Sequence, residues 1–477
     1  MHPEQPQERP GRQHIRLVVA GHTNTGKTSL LRTLGRTLDF GEVSSAMSTT
    51  RQVQALQLVN TEYLSLTAYD TPGLEAPWQV LDLLDREVAQ GSRRQAMIRV
   101  IESHKGKDDG LDQEFRVLAQ TLASDTALYV IDARDEPLPK YFDELHLLSM
   151  CGIPVVPLLN FTAYGSTCTE QWIQRLRENR YSAVVSFDAV VYSFAAECEL
   201  YNTLKAVMPS AQESLDHLIA ERGRDTEWRK AAALEAIADG LIDIVAGEEQ
   251  ATRGDPAAYA EASARLSGFT KERESRMLRD VLGAYHYSPD VLGSLTEMNY
   301  ETGGWKQDPF APETLKRYGV RSRNRIVAGA VTGGTFDVFS AGTTFGIGAT
   351  LGAAAGAASG SRGFARQVRN RLLRNQDSVR VGKDVVALIV ARNLALILDL
   401  EKRGHAAPGE VEVAAQAPGQ LPAPAVPTAL LWAEGRPEWS SYPDPAGDLR
   451  SQEHRGRRRQ VSQIRAQLEK LLSPDPS

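Results

Sequence analysis

The sequence predicts an α/β domain, a mostly parallel sheet with helices on both faces, followed by a mainly α-helical C-terminal region. Three observations predict it. A short apolar run (Ile15, Leu17, Val18, Val19, Ala20) passes directly into the glycine loop Gly21-His22-Thr23-Asn24-Thr25-Gly26-Lys27-Thr28, and a helical pattern begins with Ser29, Leu30 and Leu31. Further apolar runs alternate with helical patterns as far as residue 208. Beyond Pro209 the apolar residues recur at three- and four-residue spacing, the signature of helix faces.

Strand, glycine loop and helix in that order are the context in which G-x-x-x-x-G-K-[ST] acts as a phosphate cradle, the P-loop. Gly21 and Gly26 let the backbone turn tightly and approach phosphate oxygens without a Cβ in the way. Successive N–H groups from His22 to Ser29 and the helix N-terminus supply partial positive charge. Lys27 is placed to reach the β- and γ-phosphates, and the Thr28 hydroxyl to ligate Mg²⁺.

The chain has 477 residues, room for two or three domains, and a formal charge of −6. That balance argues against coating nucleic acid by bulk charge, though a local basic patch is compatible with it. Cys151, Cys168 and Cys198 show no paired metal spacing and fit a reducing compartment. Residues 1–13 are polar and proline-containing, with no apolar core of a signal peptide. They read as a disordered lead-in to a protein that is not secreted.

Asp39–Arg51 is small, polar and glycine-containing, a mobile loop by composition. Residues 52–60 and 63–69 read as two strands joined at Thr61-Glu62. The second runs into Asp70-Thr71-Pro72-Gly73. An acid at a strand end can hold the Mg²⁺ shell through water, and a glycine three residues later can offer a backbone N–H to a γ-phosphate.

GHTNTGKTSLL, TTR and DTPG together resemble the GTPases of the TrmE–Era group, bacterial G domains linked to tRNA modification and ribosome assembly, over residues 14–208. The whole chain resembles bacterial proteins that join such a domain to a C-terminal domain of unknown function. The resemblance implies a molecular switch that hydrolyses GTP to GDP. It places Mg²⁺ on Thr28, Thr50 and, through water, Asp70, with Thr49 as the alternative to Thr50. It places the catalytic work on Lys27, Thr50, Gly73 and Asn24, the last as ligand of a K⁺ ion. Leu74, after D-x-x-G, can position no water, which agrees with cation-assisted hydrolysis. Implied partners are GTP and GDP and a protein partner or second G domain. RNA or an anionic membrane is a further candidate.

Residues 76–124 exceed what a minimal G domain needs and read as helix, loop, helix, either a reporter of nucleotide state or a solvated elaboration. Residues 127–132 and 153–159 read as strands, the second ending at Asn160. The family's N-K-x-D stands here as Asn160-Phe161-Thr162-Ala163. Asn160 can still brace the P-loop, and Phe161 can cover a base face. The lysine and the guanine-reading aspartate are absent, so base specificity is open, with Glu170 and Asp188 as candidate replacements. SFAAE at 193–197 falls where the family's last loop is expected.

The domain boundary is set at 208/209, and a mainly helical domain follows over 209–405. Within it, residues 326–361 carry Asp337 as their only charge, with Gly348, Gly352, Gly356 and Gly360 four residues apart. On helices such a glycine zipper forms a ridge for close packing. Membrane insertion of Val338–Ser361 and a helical hairpin in a water-soluble domain both fit. Residues 406–447, rich in Ala, Pro and Gly, read as a linker, and 448–477 as a charged helix with the basic cluster Arg455–Arg459. The cluster suits docking on the protein's own surface, or contact with RNA or anionic lipid. The expected location is cytoplasmic, with peripheral or embedded placement at the inner membrane also open. Alternatives to the switch are a membrane-associated NTPase acting through the glycine zipper and a nucleotide-binding scaffold with little hydrolysis.

Overall fold

The computed structural model describes residues 12–37, 40, 53–87, 92–104, 110–163, 167–287, 298–299, 304–305, 336–339, 376–404, 426–443 and 455–472. The chain divides into two compact units, Met1–Thr226 with Glu401–Pro408, and Glu227–Leu400 with Gly409–Ser477.

The first unit is built on a six-stranded sheet. Its strands are β1 (Gln13–Ala20), β2 (Gln54–Asn60), β3 (Leu64–Asp70), β4 (Thr126–Asp132), β5 (Val155–Asn160) and β6 (Val185–Ser186). Their order is β2-β3-β1-β4-β5-β6, parallel except for β2, which pairs antiparallel with β3 at the edge. Ile15, Leu17 and Val19 of β1 and Leu128 and Val130 of β4 bury on one face, while Ala20, Tyr129 and Ile131 bury on the other. A parallel sheet covered on both sides needs such two-faced apolar strands.

Helices α1 (Lys27–Gly35) and α7 (Phe194–Val207) cover the first face through Leu30, Leu31, Leu34, Leu200 and Leu204. On the second face lie α2 (Pro77–Glu87), α3 (Arg93–His104), α4 (Asp112–Leu122), α5 (Pro139–Ser149) and α6 (Thr169–Glu178). Among the described residues the 76–124 region therefore holds three helices, not two. The basic stretch Arg93, Arg94 and Arg99 lies on α3, whose apolar Ala96, Met97 and Val100 are buried.

Helix α8 (Gln212–Ala246) opens inside the first unit. Leu215 and Leu218 join its core, Arg222 donates to the carbonyls of Leu34 at 3.3 Å and Leu58 at 3.4 Å, and Asp225 pairs with Arg36. These contacts carry the unit past Pro209 as far as Thr226.

The second unit packs the rest of α8 with α9 (Pro256–Ala284), α10 (Lys383–Lys402) and α11 (Arg455–Leu472). A small antiparallel sheet runs β10 (Phe336–Phe339), β11 (Gln376–Val381), β7 (Glu249–Thr252), and β8 (Met298–Asn299) pairs with β9 (Gly304–Trp305). Strand β10 corrects the helical reading of 326–361 over its own four residues, where it pairs antiparallel with β11 and carries the strand-favouring residues Phe336, Val338 and Phe339. The remainder of that glycine-rich segment lies outside the described residues. No described helix is long and apolar enough to cross a membrane. Within the expected linker, residues 426–443 pack: Leu430, Ala433 and Trp439 are buried in the helical core. Proline and alanine set the composition, but these apolar side chains set the packing. In α11, Val461, Ile464 and Leu468 bury as a stripe, and Arg457 of the basic cluster turns inward to pair with Asp239.

Candidate nucleotide-binding site

The P-loop leaves the carboxyl end of β1, where nucleotide sites of open α/β sheets lie. Its conformation needs its glycines. Gly21 has φ +144°, and a Cβ there would stand 2.3 Å from the Val130 carbonyl oxygen. Gly26 has φ +88°, and a Cβ would meet Asn160 Nδ2 at 2.4 Å. Lys27, the first residue of α1, is buried, and its Nζ donates to the carbonyls of Gly21 at 3.0 Å and His22 at 2.7 Å. Burial lowers its pKa from 10.5 to about 8, and Asp70 and Glu144 pull it partly back.

Thr28 and Asp70 meet: the Thr28 hydroxyl donates to Asp70 Oδ2 at 2.6 Å. Thr71 fixes the end of β3 by donating to the Val19 carbonyl at 2.8 Å. Gly73 presses against the P-loop so closely that a Cβ would lie 2.5 Å from Thr23 Oγ1. Asn24 is exposed and left-handed, φ 65°. Ser29 sits in the first turn of α1.

Asn160 is fully buried and makes three bonds. Its Nδ2 donates to the Thr25 carbonyl at 2.9 Å, and its Oδ1 accepts from Ala189 N at 2.9 Å and Phe161 N at 3.0 Å. It ties the P-loop to the loops after β5 and β6. Phe161, held left-handed at φ 60°, packs under Arg134, whose guanidinium lies 4.1 Å from the ring centroid. Arg134 itself is held by both oxygens of Asp132.

Thus Gly21, His22, Thr23, Asn24, Thr25, Gly26, Lys27, Thr28, Ser29, Asp70, Gly73 and Asn160 come together. Thr49 and Thr50 lie outside the described residues. Two features escaped the sequence. His22 Nδ1 bonds Glu144 Oε1 at 2.8 Å, and Tyr129 donates to Glu144 Oε2 at 2.8 Å, a buried network behind the P-loop. A charged Glu144 within the apolar face of α5 was the only signal of it. The loop that meets Asn160 is Asp188–Ala189, whereas SFAAE lies at the start of α7, where the Ser193 hydroxyl caps Ala196 N.

Residues 174–466, more than half of the chain, match the family model of a domain of unknown function, DUF3482. The chain belongs to this family. Residues 16–160 match the model of the 50S ribosome-binding GTPase family, and with the fold this makes the first unit a P-loop GTPase domain. No curated protein matches the chain. Among solved structures, Era of Aquifex aeolicus bound to GDP and aluminium fluoride is 16% identical, with a TM-score of 0.28 over 37% of this chain and 52% of that one. Era in complex with MgGDPNP and nucleotides 1506–1542 of 16S ribosomal RNA is 16% identical, with a TM-score of 0.29 over 37% and 52%. Elongation factor SelB of Methanococcus maripaludis with a GTP analogue is 16% identical, with a TM-score of 0.24 over 38% and 31%. The chain spans about half the length of the Era structures it matches.

Proposed function

We propose that the protein is a Mg²⁺-dependent switch that binds GTP and hydrolyses it slowly to GDP. The observation that carries this is the meeting of Thr28 with Asp70 at 2.6 Å, next to Lys27 at the start of α1. A hydroxyl and a carboxylate brought together at the lip of a phosphate loop are hard oxygen ligands suited to Mg²⁺. Bound there, the ion would neutralise charge between the β- and γ-phosphates. Thr28 would ligate it directly, Asp70 through water, and Thr50 would complete its shell. Lys27 binds the phosphates, the N–H groups of His22–Ser29 cradle them, and Gly73 reports the γ-phosphate by its backbone N–H.

Asn24 supports a K⁺-assisted mechanism of the TrmE–Era kind. Its side chain bonds no described residue, and its left-handed backbone holds it at the loop surface. Hydrolysis is expected to be several-fold faster in K⁺ than in Na⁺ at equal ionic strength, and Asn24→Ala to lose that stimulation. A rate indifferent to the cation would reject the K⁺ role. Links to tRNA modification or ribosome assembly, with RNA as a partner, extend the same reading by family resemblance. The 50S ribosome-binding description of the matching family points the same way.

A further inference from the structure

The fourth motif of this domain lacks the carboxylate that reads guanine, yet a carboxylate reaches the same place from another strand. Ala163 occupies the aspartate's position, and its backbone N–H donates to Asp188 Oδ2 at 3.3 Å. Asp188 follows β6, not β5. Its Oδ1 accepts from Val190 N at 2.9 Å and Val191 N at 3.0 Å. The residue is buried, 7% exposed, and no cation among the described residues pairs with it.

A carboxylate offers about four acceptor sites, and backbone donors fill three of them here. The remaining site is on Oδ2, the oxygen that faces Ala163. A turn cap alone needs only a serine, threonine or asparagine. A buried negative charge with no cation beside it costs more than those side chains, and a donor on its open acceptor site offsets that cost. On that edge guanine carries only donors, N1–H and the N2 amino group, and either can fill the one open acceptor, whereas adenine N1 is itself an acceptor.

The framework around Asp188 also fixes it relative to the phosphate loop. Asn160 bonds Thr25 on one side and Ala189, the next residue to Asp188, on the other. Phe161 lies against Gly26 and under Arg134, an aromatic and guanidinium surface beside the same corner. Gly404 closes the loop from outside, donating to the Val190 carbonyl at 2.9 Å.

We propose that Asp188 is the specificity-determining residue, its open Oδ2 position taking a donor from the N1–H and N2 edge of guanine in place of the absent aspartate at Ala163. The proposal rests on the GTP-binding reading above and deepens it: the position of the base reader has moved from the loop after β5 to the loop after β6, while its chemistry is kept.

The test exchanges the carboxylate for an amide. The amide oxygen keeps the bonds to Val190 N and Val191 N, so the amide nitrogen takes the open position and donates where guanine also donates; it fits xanthine, which carries a carbonyl at C2. Binding of GTP, XTP and ATP is measured for the wild type, Asp188→Asn and Lys27→Ala. Asp188→Asn should bind GTP roughly 10–100-fold more weakly and XTP at least about tenfold more tightly, inverting the preference. A folded Asp188→Asn that still prefers GTP overturns the proposal; with Lys27-dependent binding intact, the nucleotide site stands. A wild type that binds no nucleotide overturns both. Should Asp188→Asn melt early, the pair Asp188→Ser and Ala163→Asp/Asp188→Ser decides. Recovery of GTP binding only in the double variant supports the reader role, and no recovery overturns it.

Discussion

Lys27 carries its charge inside the protein, and this fixes how binding must respond to pH. On the proposed reading triphosphate binds the protonated amine, and burial brings its pKa down to about 8. The protonated fraction therefore falls from most to roughly a tenth between pH 7 and 9, and GTP affinity should fall about tenfold over that range. A lysine at 10.5 would leave affinity flat, so fluorescence titrations across the window distinguish the two. Asn160 makes a second prediction. Its amide joins three loops through bonds to Thr25, Phe161 and Ala189, and alanine would leave two buried N–H groups without an acceptor. Asn160→Ala should lose about 2–4 kcal/mol in urea unfolding, against near zero if water replaced the amide. Both residues stood out in the sequence because a glycine loop and a strand-end asparagine have few other uses. Asp188 stood there only as one candidate among carboxylates, since a contact between residues 25 positions apart leaves no local pattern.

The packed helices α9 and α10 hold Glu274 and Arg392 between them, 3.6 Å apart and both buried. Desolvation raises the Glu274 pKa from 4.5 to about 7, and Arg392 offsets only part of that. The folded state thus keeps a proton that the unfolded chain releases between pH 4.5 and 7. This contribution to stability is complete below 4.5 and is lost as pH rises through 7. Glu274→Gln removes that fall. Its stability relative to wild type should climb between pH 4.5 and 7 and level off above, measured by chemical unfolding at each pH. A constant offset would show that Glu274 does not titrate there. At this scale the strands and helices of the first unit were legible because short unbroken apolar runs differ sharply from the 3.6-residue period of the helices. Helix α3 was missed because Arg93, Arg94 and Arg99 mask its buried Ala96, Met97 and Val100. Strand β10 was missed because Phe336–Phe339 is short and sits within a glycine-rich run whose pairing partner, β11, begins at Gln376.

For the whole molecule, the mostly parallel sheet with helices on both faces and the place of the phosphate loop followed from sequence, because each strand–helix alternation is local and the cradle is one continuous stretch. The extent of the units did not. Asp225 on α8 pairs with Arg36, and Glu401–Pro408 returns to the first unit, so its boundary is set by contacts that no composition shift marks. The 426–443 turns, read as linker, pack through Leu430 and Trp439 for the same reason. What remains central is the phosphate loop and the hydroxyl–carboxylate pair beside it. The measurement that tests this most directly is calorimetric titration of GTP, GDP and ATP into the full chain, with and without Mg²⁺, alongside Lys27→Ala. The account predicts that GTP and GDP bind, that Mg²⁺ tightens GTP, that ATP binds at least about tenfold more weakly, and that Lys27→Ala abolishes GTP binding. Equal binding of ATP, or GTP affinity unchanged in Lys27→Ala, would contradict it.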